Sequence, residues 1–223
     1  MDTVRRIYFT DWVTDFLQHV LEQDAPSTLL LVCSPRELLL EQLLAASHLQ
    51  QGEAAEGHRI LTKTMGLLSK STRIKLVFCP TLEHLRAYLS VIQPQESSQQ
   101  VTDMGEQPAV RPLMVILDPL ALHHSTSEFS AQGLSRTFAA AVEVSSRAGM
   151  DLVLCECRDA IYPSDDRRGE ALWYTQVPLL NSSARIGEEG TSFRRGVPVK
   201  RIVQRWFDFD EENEHPVTDP MDG

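Results

Sequence analysis

Unbroken apolar runs of strand length, each followed by a longer segment, are the strongest constraint on the fold of this chain. Three such runs are Thr28 to Cys33, Leu113 to Asp118 and Asp151 to Cys155. Strands that are apolar on both faces are typical of a parallel sheet covered by helices on both sides. Leucines recur at helical spacing from Pro35 to Gln50, directly after the first run, which predicts a β-α unit. We therefore expect an α/β fold with a mostly parallel central sheet flanked by helices.

The segments between these runs extend the same pattern. Apolar residues at helical spacing predict an amphipathic helix from Thr10 to Gln23. We further expect a strand from Arg73 to Cys79 and helices from Leu82 to Ile92 and from Ser127 to Ala148. His58 to Ser69 is predicted to be helical or irregular.

The C-terminal part changes character. Trp173 to Leu180 and Val197 to Phe209 have the composition of strands, and a loop rich in Gly and Arg joins them. In the second segment, Val199, Arg201 and Val203 alternate with Lys200, Ile202 and Gln204, and a period of two indicates an edge or antiparallel strand. The sequence therefore predicts a C-terminal antiparallel hairpin that extends the parallel sheet.

Length and composition predict one domain with two segments that have little to bury. The chain has 223 residues with 42% hydrophobic content, enough for one sizeable core. Residues 93–112 are rich in Gln, Ser, Pro and Glu and are predicted to be a disordered insertion. We expect a single domain over residues 1–209, followed by an acidic disordered tail over residues 210–223.

Cysteine usage and the N-terminus predict an intracellular protein. The chain has no run of 18 or more apolar residues, and its first residues lack the apolar stretch of a secretory signal. Cys33, Cys79 and Cys155 lie at the ends of predicted buried strands, and Cys157 follows two residues later. The spacing of this last pair is not the C-x-x-C of redox or zinc motifs. We expect free, buried thiols.

Where an ATPase with a P-loop would hold phosphate, this chain has only Ser34-Pro35-Arg36-Glu37. The P-loop needs glycines, a Lys and a hydroxyl for Mg²⁺, and none is present. Ser34 instead fits a helix N-cap, with Pro35 at the first helical position. The strand Leu113 to Asp118 looks like the apolar strand whose final Asp holds Mg²⁺ in such ATPases. The sequence thus predicts a pseudo-ATPase that needs no cofactor and acts by binding.

Other candidate sites have simpler interpretations. Asp118 is expected to cap the turn that begins at Pro119. Adjacent side chains such as His123 and His124 diverge, and no third ligand at a recognisable spacing accompanies them, so we predict a solvated loop and no metal site. Ser182 and Ser183 lie in no nucleophile elbow. No catalytic residue is predicted.

A cluster of positive charges near the C-terminus is the best candidate for DNA contact. The net charge is −10, and the segment from Asp208 to Gly223, with seven acidic residues and no Lys or Arg, contributes −7 of it. Six cations precede that tail near a loop containing Gly, as phosphate-backbone contacts require. The predicted DNA-binding residues are Arg185, Arg194, Arg195, Lys200, Arg201 and Arg205. The N-terminal helix carries a broad apolar face, and we predict that Trp12 and Phe16 bind a protein partner.

The order of elements resembles the core of RecA-type recombinases. The resemblance covers roughly Thr28 to Phe209 and rests on Leu113 to Asp118, Trp173 to Leu180 and Val199 to Phe207. The last two segments look like those of small fungal recombinase paralogues, including Shu-complex-type accessory subunits. The resemblance implies a RecA-like fold and a non-catalytic, nuclear subunit that works with a recombinase-like partner in homologous recombination and DNA repair.

Two alternatives stay open. One is an enzyme or small-ligand protein that uses the crevice at the carboxyl ends of the strands. Its candidate residues are Ser34, Pro80, Asp118, Pro119 and Glu156. The other is a RecA-fold scaffold of an RNA-modifying complex, such as an elongator-type subunit acting on tRNA, which a preference for RNA over DNA would identify.

Overall fold

Six parallel strands form the central sheet, and eight helices are described around it. The computed structural model describes residues 3–51, 64–93, 110–180 and 196–209. The strands of this sheet are β1 (Arg5–Tyr8), β2 (Thr28–Val32), β3 (Ile74–Phe78), β4 (Leu113–Leu117), β5 (Asp151–Cys155) and β8 (Asp208–Phe209). The described helices are α1 (Val13–Glu22), α2 (Arg36–Gln51), α3 (Met65–Ser71), α4 (Leu82–Val91), α5 (Pro119–His124), α6 (Ala131–Arg147), α7 (Ala171–Tyr174) and α8 (Val199–Val203). The predicted α/β fold with a mostly parallel sheet is confirmed.

The sheet separates two apolar cores because neighbouring side chains of a strand point to opposite faces. In β2, Leu29 and Leu31 pack with α4, α6 and α8, whereas Leu30 and Val32 pack with α1 and α2. All five residues of β2 and all five of β4 are buried. This two-sided burial is the physical reason why these strands are unbroken apolar runs.

The order of the strands, β3-β2-β4-β5-β1-β8, places a topological switch point between β2 and β4. From β2 the chain passes through α2 to β3, and from β3 it returns through α4 to β4 on the other side of β2. Because α2 and α4 lie on opposite faces of the sheet, they leave a crevice at the carboxyl ends of β2 and β4. Open α/β sheets bind ligands at such positions.

Strand β1 was not predicted. Arg5–Tyr8 contains a single fully buried apolar side chain, Ile7, among partly buried polar ones. It forms a strand because both neighbours, β5 and β8, pair with it in parallel register. Long-range pairing, which leaves no local pattern, decides this element.

The prediction for the C-terminal part was right about an antiparallel pair of strands and wrong about its length and its place beside the parallel sheet. Strands β6 (Gln176–Val177) and β7 (Val197–Pro198) form the predicted antiparallel pair, but as a separate two-stranded sheet. The long strand predicted from Val197 to Phe209 is wrong, because Val199, Ile202 and Val203 are buried at helical spacing in α8. Pro198 precedes that helix, and Arg201 is exposed. The strand predicted over Trp173 is α7 in the structure.

The assignment of Phe16 to a partner interface is wrong for the isolated chain. Its side chain is fully buried between α1 and the sheet. The centroid of its ring lies 5.9 Å from the centroid of the Tyr8 ring. Trp12 precedes α1 and is only partly buried, so its assignment stays a prediction. The predicted insertion and the predicted acidic tail fall largely or wholly on residues 94–109 and 210–223, outside the described residues.

Candidate functional site

A crevice of about 290 Å³ lies at the carboxyl ends of β2, β3 and β4. Ser34 and Pro35 line it from the start of α2, Pro80 follows β3, and Leu122 belongs to α5. Arg168 closes the opposite side. Of the residues that the sequence singled out for the crevice, Ser34 and Pro80 line it, together with an arginine that the sequence did not identify. The others, Asp118, Pro119 and Glu156, are buried at the same strand ends and do not line it.

Asp118, the residue at the end of β4, is held by protein donors at both carboxylate oxygens. Its Oδ1 accepts the backbone N–H of Cys157 at 2.9 Å, and its Oδ2 accepts from the guanidinium of Arg168. The backbone of Asp118 is left-handed, with φ 59° and ψ 41°, which Asp tolerates better than most residues. The predicted side-chain cap of the following turn is not formed, since this carboxylate turns towards β5 instead.

Arg168 joins two acidic residues that come from different loops. Besides Asp118, its guanidinium lies 3.9 Å from Asp159 Oδ2, measured from Nη1. Asp159 Oδ1 in turn accepts from Gln42 Nε2 of α2 at 2.8 Å. The next residue, Gly169, has φ 82°, and a Cβ there would come within 2.8 Å of the Arg158 side chain, so the backbone beside Arg168 requires glycine. The network thus ties α2, β4 and the loop after β5 together.

Glu156 is a second buried carboxyl group beside this network. Its Oε1 accepts the backbone N–H of Leu120, and its Oε2 accepts that of Ala121 at 3.3 Å. Burial raises the pKa of Glu156 well above its ordinary value, and the charge of Asp118 raises it further. Burial also raises the pKa of Asp118, although Arg168 opposes this. Three acidic groups therefore share one buried cation, which favours keeping a proton on Glu156.

The start of α2 presents no phosphate cradle. The helix begins at Arg36, and the N–H of Leu39 donates to the carbonyl of Pro35 at 3.2 Å. Pro35 rather than Ser34 therefore stands at the cap position, one residue later than predicted. The chain turns directly from β2 into α2 without a glycine, as the sequence indicated.

His123 and His124 do not form the solvated loop that was predicted. His123 is fully buried in α5, and its ring nitrogens contact the carbonyl of Glu128 at 3.3 Å and Thr137 Oγ1 at 3.0 Å. Burial lowers the pKa of His123 to about 4, and the nearby Arg86 contributes to this. The His123 ring is therefore a neutral structural link between α5 and α6.

The four cysteines are free and buried, as predicted. The sulfur atoms of Cys155 and Cys157 lie 3.7 Å apart. Burial raises the pKa of the Cys33 thiol well above its ordinary value, which disfavours the reactive thiolate. Among the residues that the structure describes, no group of three or more His, Cys, Asp or Glu side chains could hold a metal ion.

The predicted DNA-binding residues divide between described and undescribed parts of the chain. Arg201 in α8 and Arg205 after it are exposed. The Nζ of Lys200 lies 5.4 Å from the ring centroid of Tyr174 and 5.1 Å from that of Phe209. Two aromatic faces thus hold Lys200 against the protein. Arg185, Arg194 and Arg195 lie outside the described residues.

Three residues of the buried network escaped the sequence analysis: Gln42, Asp159 and Arg168. Each lies far from Asp118 in the sequence, and none belongs to a motif. The one available signal was compositional, because Arg168 ends a stretch rich in charge, Asp165-Asp166-Arg167-Arg168, and Asp159 lies six residues before that stretch. Such a stretch is typical of a solvated loop, which is what most of it is.

Comparison with known proteins identifies one family. A family model described as SPAC22G7.03-like matches residues 7–214. No curated protein and no solved structure gives a significant match to the chain. None of the helices in the described part of the chain is long and apolar enough to cross a membrane.

Proposed function

This chain belongs to the SPAC22G7.03-like family, and we propose that it is a non-catalytic subunit that binds a recombinase-like protein partner and DNA in homologous recombination. In this proposal the chain is a nuclear pseudo-ATPase. The proposal combines the resemblance to recombinase paralogues with two structural observations. The first concerns the crevice, and the second concerns α8.

The observation that carries the proposal is the pairing of Arg168 with Asp118. In an ATPase of the related kind, the carboxylate at this strand end would face Mg²⁺ and nucleotide phosphates. Here the guanidinium of Arg168 supplies the positive charge from within the chain, and the Cys157 N–H occupies the other oxygen. Expelling an arginine from a buried pair leaves unpaired buried charge, which costs about 3–5 kcal/mol. This cost supports a crevice that does not exchange Arg168 for Mg²⁺ and nucleotide.

The surface around α8 supports contact with nucleic acid. Arg201 and Arg205 are exposed, and no carboxylate of the described residues lies within ion-pair distance of either. Residues 181–195, which contain Arg185, Arg194 and Arg195, precede β7 and α8 directly in the sequence. Cations that are free of protein partners are the ones available to phosphates.

The test is a binding experiment on the full chain. We expect calorimetric titration with ATP and Mg²⁺ to show no binding, whereas fluorescence anisotropy should show binding to labelled single-stranded or duplex DNA that weakens steeply with salt. Arg201→Ala with Arg205→Ala should flatten the slope of log affinity against log salt by roughly one to two units. Gln204→Ala, an exposed change between those two positions, is the matched control.

Four results would contradict parts of the proposal. Micromolar ATP binding would contradict the pseudo-ATPase assignment. Equal DNA affinity for the double variant and the wild type, with and without co-purified partner, would remove α8 from the DNA contact. Tighter binding to RNA than to DNA would favour the scaffold of an RNA-modifying complex, and isolation of the chain from cells without a recombinase-like subunit would contradict the proposed partner.

A further inference from the structure

A second cleft, larger than the crevice, lies at the opposite edge of the sheet. We call it the amino-end cleft; its volume is about 390 Å³, against about 290 Å³ for the crevice. The start of β2 and β3, the end of α4 and the turn after α6 surround it. Ligand pockets in proteins have volumes of about 300–1,000 Å³, so this cleft suits a small ligand.

The cleft has an apolar floor. Thr28, Leu29 and Met150 line it and are at least nine-tenths buried. The ring of Tyr88, from α4, forms part of its wall. An apolar body that enters the cleft would thus displace water from a surface made largely of aliphatic and aromatic carbon, which is favourable in proportion to the area covered.

The mouth of the cleft is positively charged. Arg73 and Lys75 line it and are exposed to solvent, and no residue of the described lining carries a carboxylate. The Nζ of Lys75 lies 6.0 Å from the Tyr88 ring centroid, so this ammonium is directed towards the cleft wall. Within the described part of the chain, neither Arg73 nor Lys75 forms an ion pair. On a protein with a net charge of −10, two neighbouring unpaired cations favour a local anion.

Pairing with β2 fixes the backbone from which these two cations project. The N–H of Thr28 donates to the carbonyl of Arg73 at 2.9 Å, and Leu29 pairs with Lys75 in the parallel register of β2 and β3. The cations therefore project from a strand that is hydrogen-bonded to the buried centre of the sheet. A rigid support of this kind lowers the cost of ordering the groups that bind a ligand.

We propose that the amino-end cleft binds a small amphipathic anion, with an apolar body of one or two rings or a short acyl chain and one carboxylate or sulfonate group. The apolar body lies on Leu29 and Met150, and the anionic group meets Arg73 and Lys75. This site is independent of the proposed DNA and partner contacts, because its lining contains neither Trp12 nor any residue of α8.

Two fluorescent dyes with nearly the same rings test the charge requirement. 8-Anilinonaphthalene-1-sulfonate carries an anion, and N-phenyl-1-naphthylamine is its neutral counterpart. For the folded full chain we expect saturable binding of the sulfonate at one site and at least tenfold weaker binding of the neutral dye. Octanoate should displace the sulfonate, and 1-octanol should do so much less well.

Variants locate the site. Arg73→Glu with Lys75→Glu should weaken sulfonate binding at least tenfold and change binding of the neutral dye less than twofold. Ala148→Phe, which fills the cleft from the end of α6, should abolish binding of both dyes. The control Arg36→Glu with Arg201→Glu changes the net charge by the same amount, at positions on α2 and α8. It should leave the affinity for the sulfonate within twofold of the wild type. Near-ultraviolet circular dichroism checks the fold, and Ala148→Leu replaces Ala148→Phe if the larger side chain disturbs it.

Several results would overturn the proposal. The first is an absence of saturable sulfonate binding, and the second is unchanged dye binding by the folded Ala148 variant. The third is an equal loss of affinity for both dyes in the charge-reversed variant. Equal weakening by the control pair would show that net charge alone attracts the dye. DNA binding through α8 is measured separately. One proposal can therefore fail while the other holds.

Discussion

The guanidinium of Arg168 donates to Asp118 Oδ2, although 50 residues separate them in the sequence. Both side chains are largely buried, with 13% and 7% of their surfaces exposed. The pair is the only buried ion pair among the described residues that links β4 with the loop after β5. It gives the strand end a permanent internal cation.

Arg168→Met should therefore destabilise the chain strongly. Removal of the guanidinium leaves Asp118 and Asp159 buried without their cation, and the loss of one partner of a buried pair costs about 3–5 kcal/mol. Urea denaturation at pH 7 measures the free energy of unfolding. Arg167→Met is the matched control, because Arg167 is exposed and pairs with Asp165 at the surface. A variant Arg168→Met as stable as the control would show that the pair contributes nothing to the fold.

Glu156→Gln should increase the stability of the chain relative to the wild type as the pH rises. The pKa of Glu156 is raised in the folded chain. A carboxyl with a raised pKa stabilises the fold below its unfolded pKa, and this contribution is lost as the pH rises through the folded pKa. Gln does not ionise and retains an acceptor for the Leu120 N–H. The difference in unfolding free energy should grow between pH 5 and pH 8.

The control for this comparison is Glu143→Gln, because the Glu143 side chain is 74% exposed. Its stability should follow the wild type at every pH. If the Glu156 variant also follows the wild type, the buried carboxyl does not hold its proton more tightly than a free one.

His123 should make the chain less stable as the pH falls, whereas Glu156 makes it less stable as the pH rises. Its pKa falls from 6.5 to about 4 on folding, so the folded chain favours the neutral ring. The resulting contribution to stability is fully present above pH 6.5 and is lost as the pH falls towards 4. His123→Gln should show a shallower loss of thermal stability over that range, whereas His48→Gln, on the exposed face of α2, should match the wild type. Parallel curves for all three proteins would contradict this.

Phe16 and Trp12 should now behave differently from each other. Phe16→Ala removes a fully buried ring and should destabilise the chain by about 3–5 kcal/mol. Trp12→Ala, at a partly buried position, should lower the melting temperature less and reduce capture of the recombinase-like partner in a pull-down. Normal capture by a folded Trp12→Ala variant would place the partner surface elsewhere.

The elements with a strong local pattern are the ones that sequence predicted well. Strands β2, β4 and β5 and helices α1, α2, α4 and α6 lie within a few residues of their predicted bounds, because two-sided burial or one apolar face specifies each of them. Helix α8 was missed because Val199 and Val203 fit both a period of two and a helical repeat over so short a segment. Its packing against α6 and α7, which no local pattern records, decides the outcome.

The candidate site was predictable only in part. Asp118 and Ser34 could be placed at one edge of the sheet because parallel strands end on the same side. Arg168 could not, since its position depends on the path of a loop and on the left-handed backbone of Gly169. The burial of His123 was equally hidden, because its neighbours in space, Glu128 and Thr137, come from the next turn and helix.

The position of β1 has a consequence for the order in which the sheet forms. This strand precedes both of its partners in the sequence, because Arg5 pairs with Leu152 of β5 and Arg6 pairs with Asp208 of β8. The four strands from β3 to β5 can pair with one another without it, whereas Ile7 has a sheet to join only once β5 is in place. Contacts so distant in sequence form slowly. We therefore expect β1 to join the sheet after those four strands, and β8 then covers the edge that β1 leaves open.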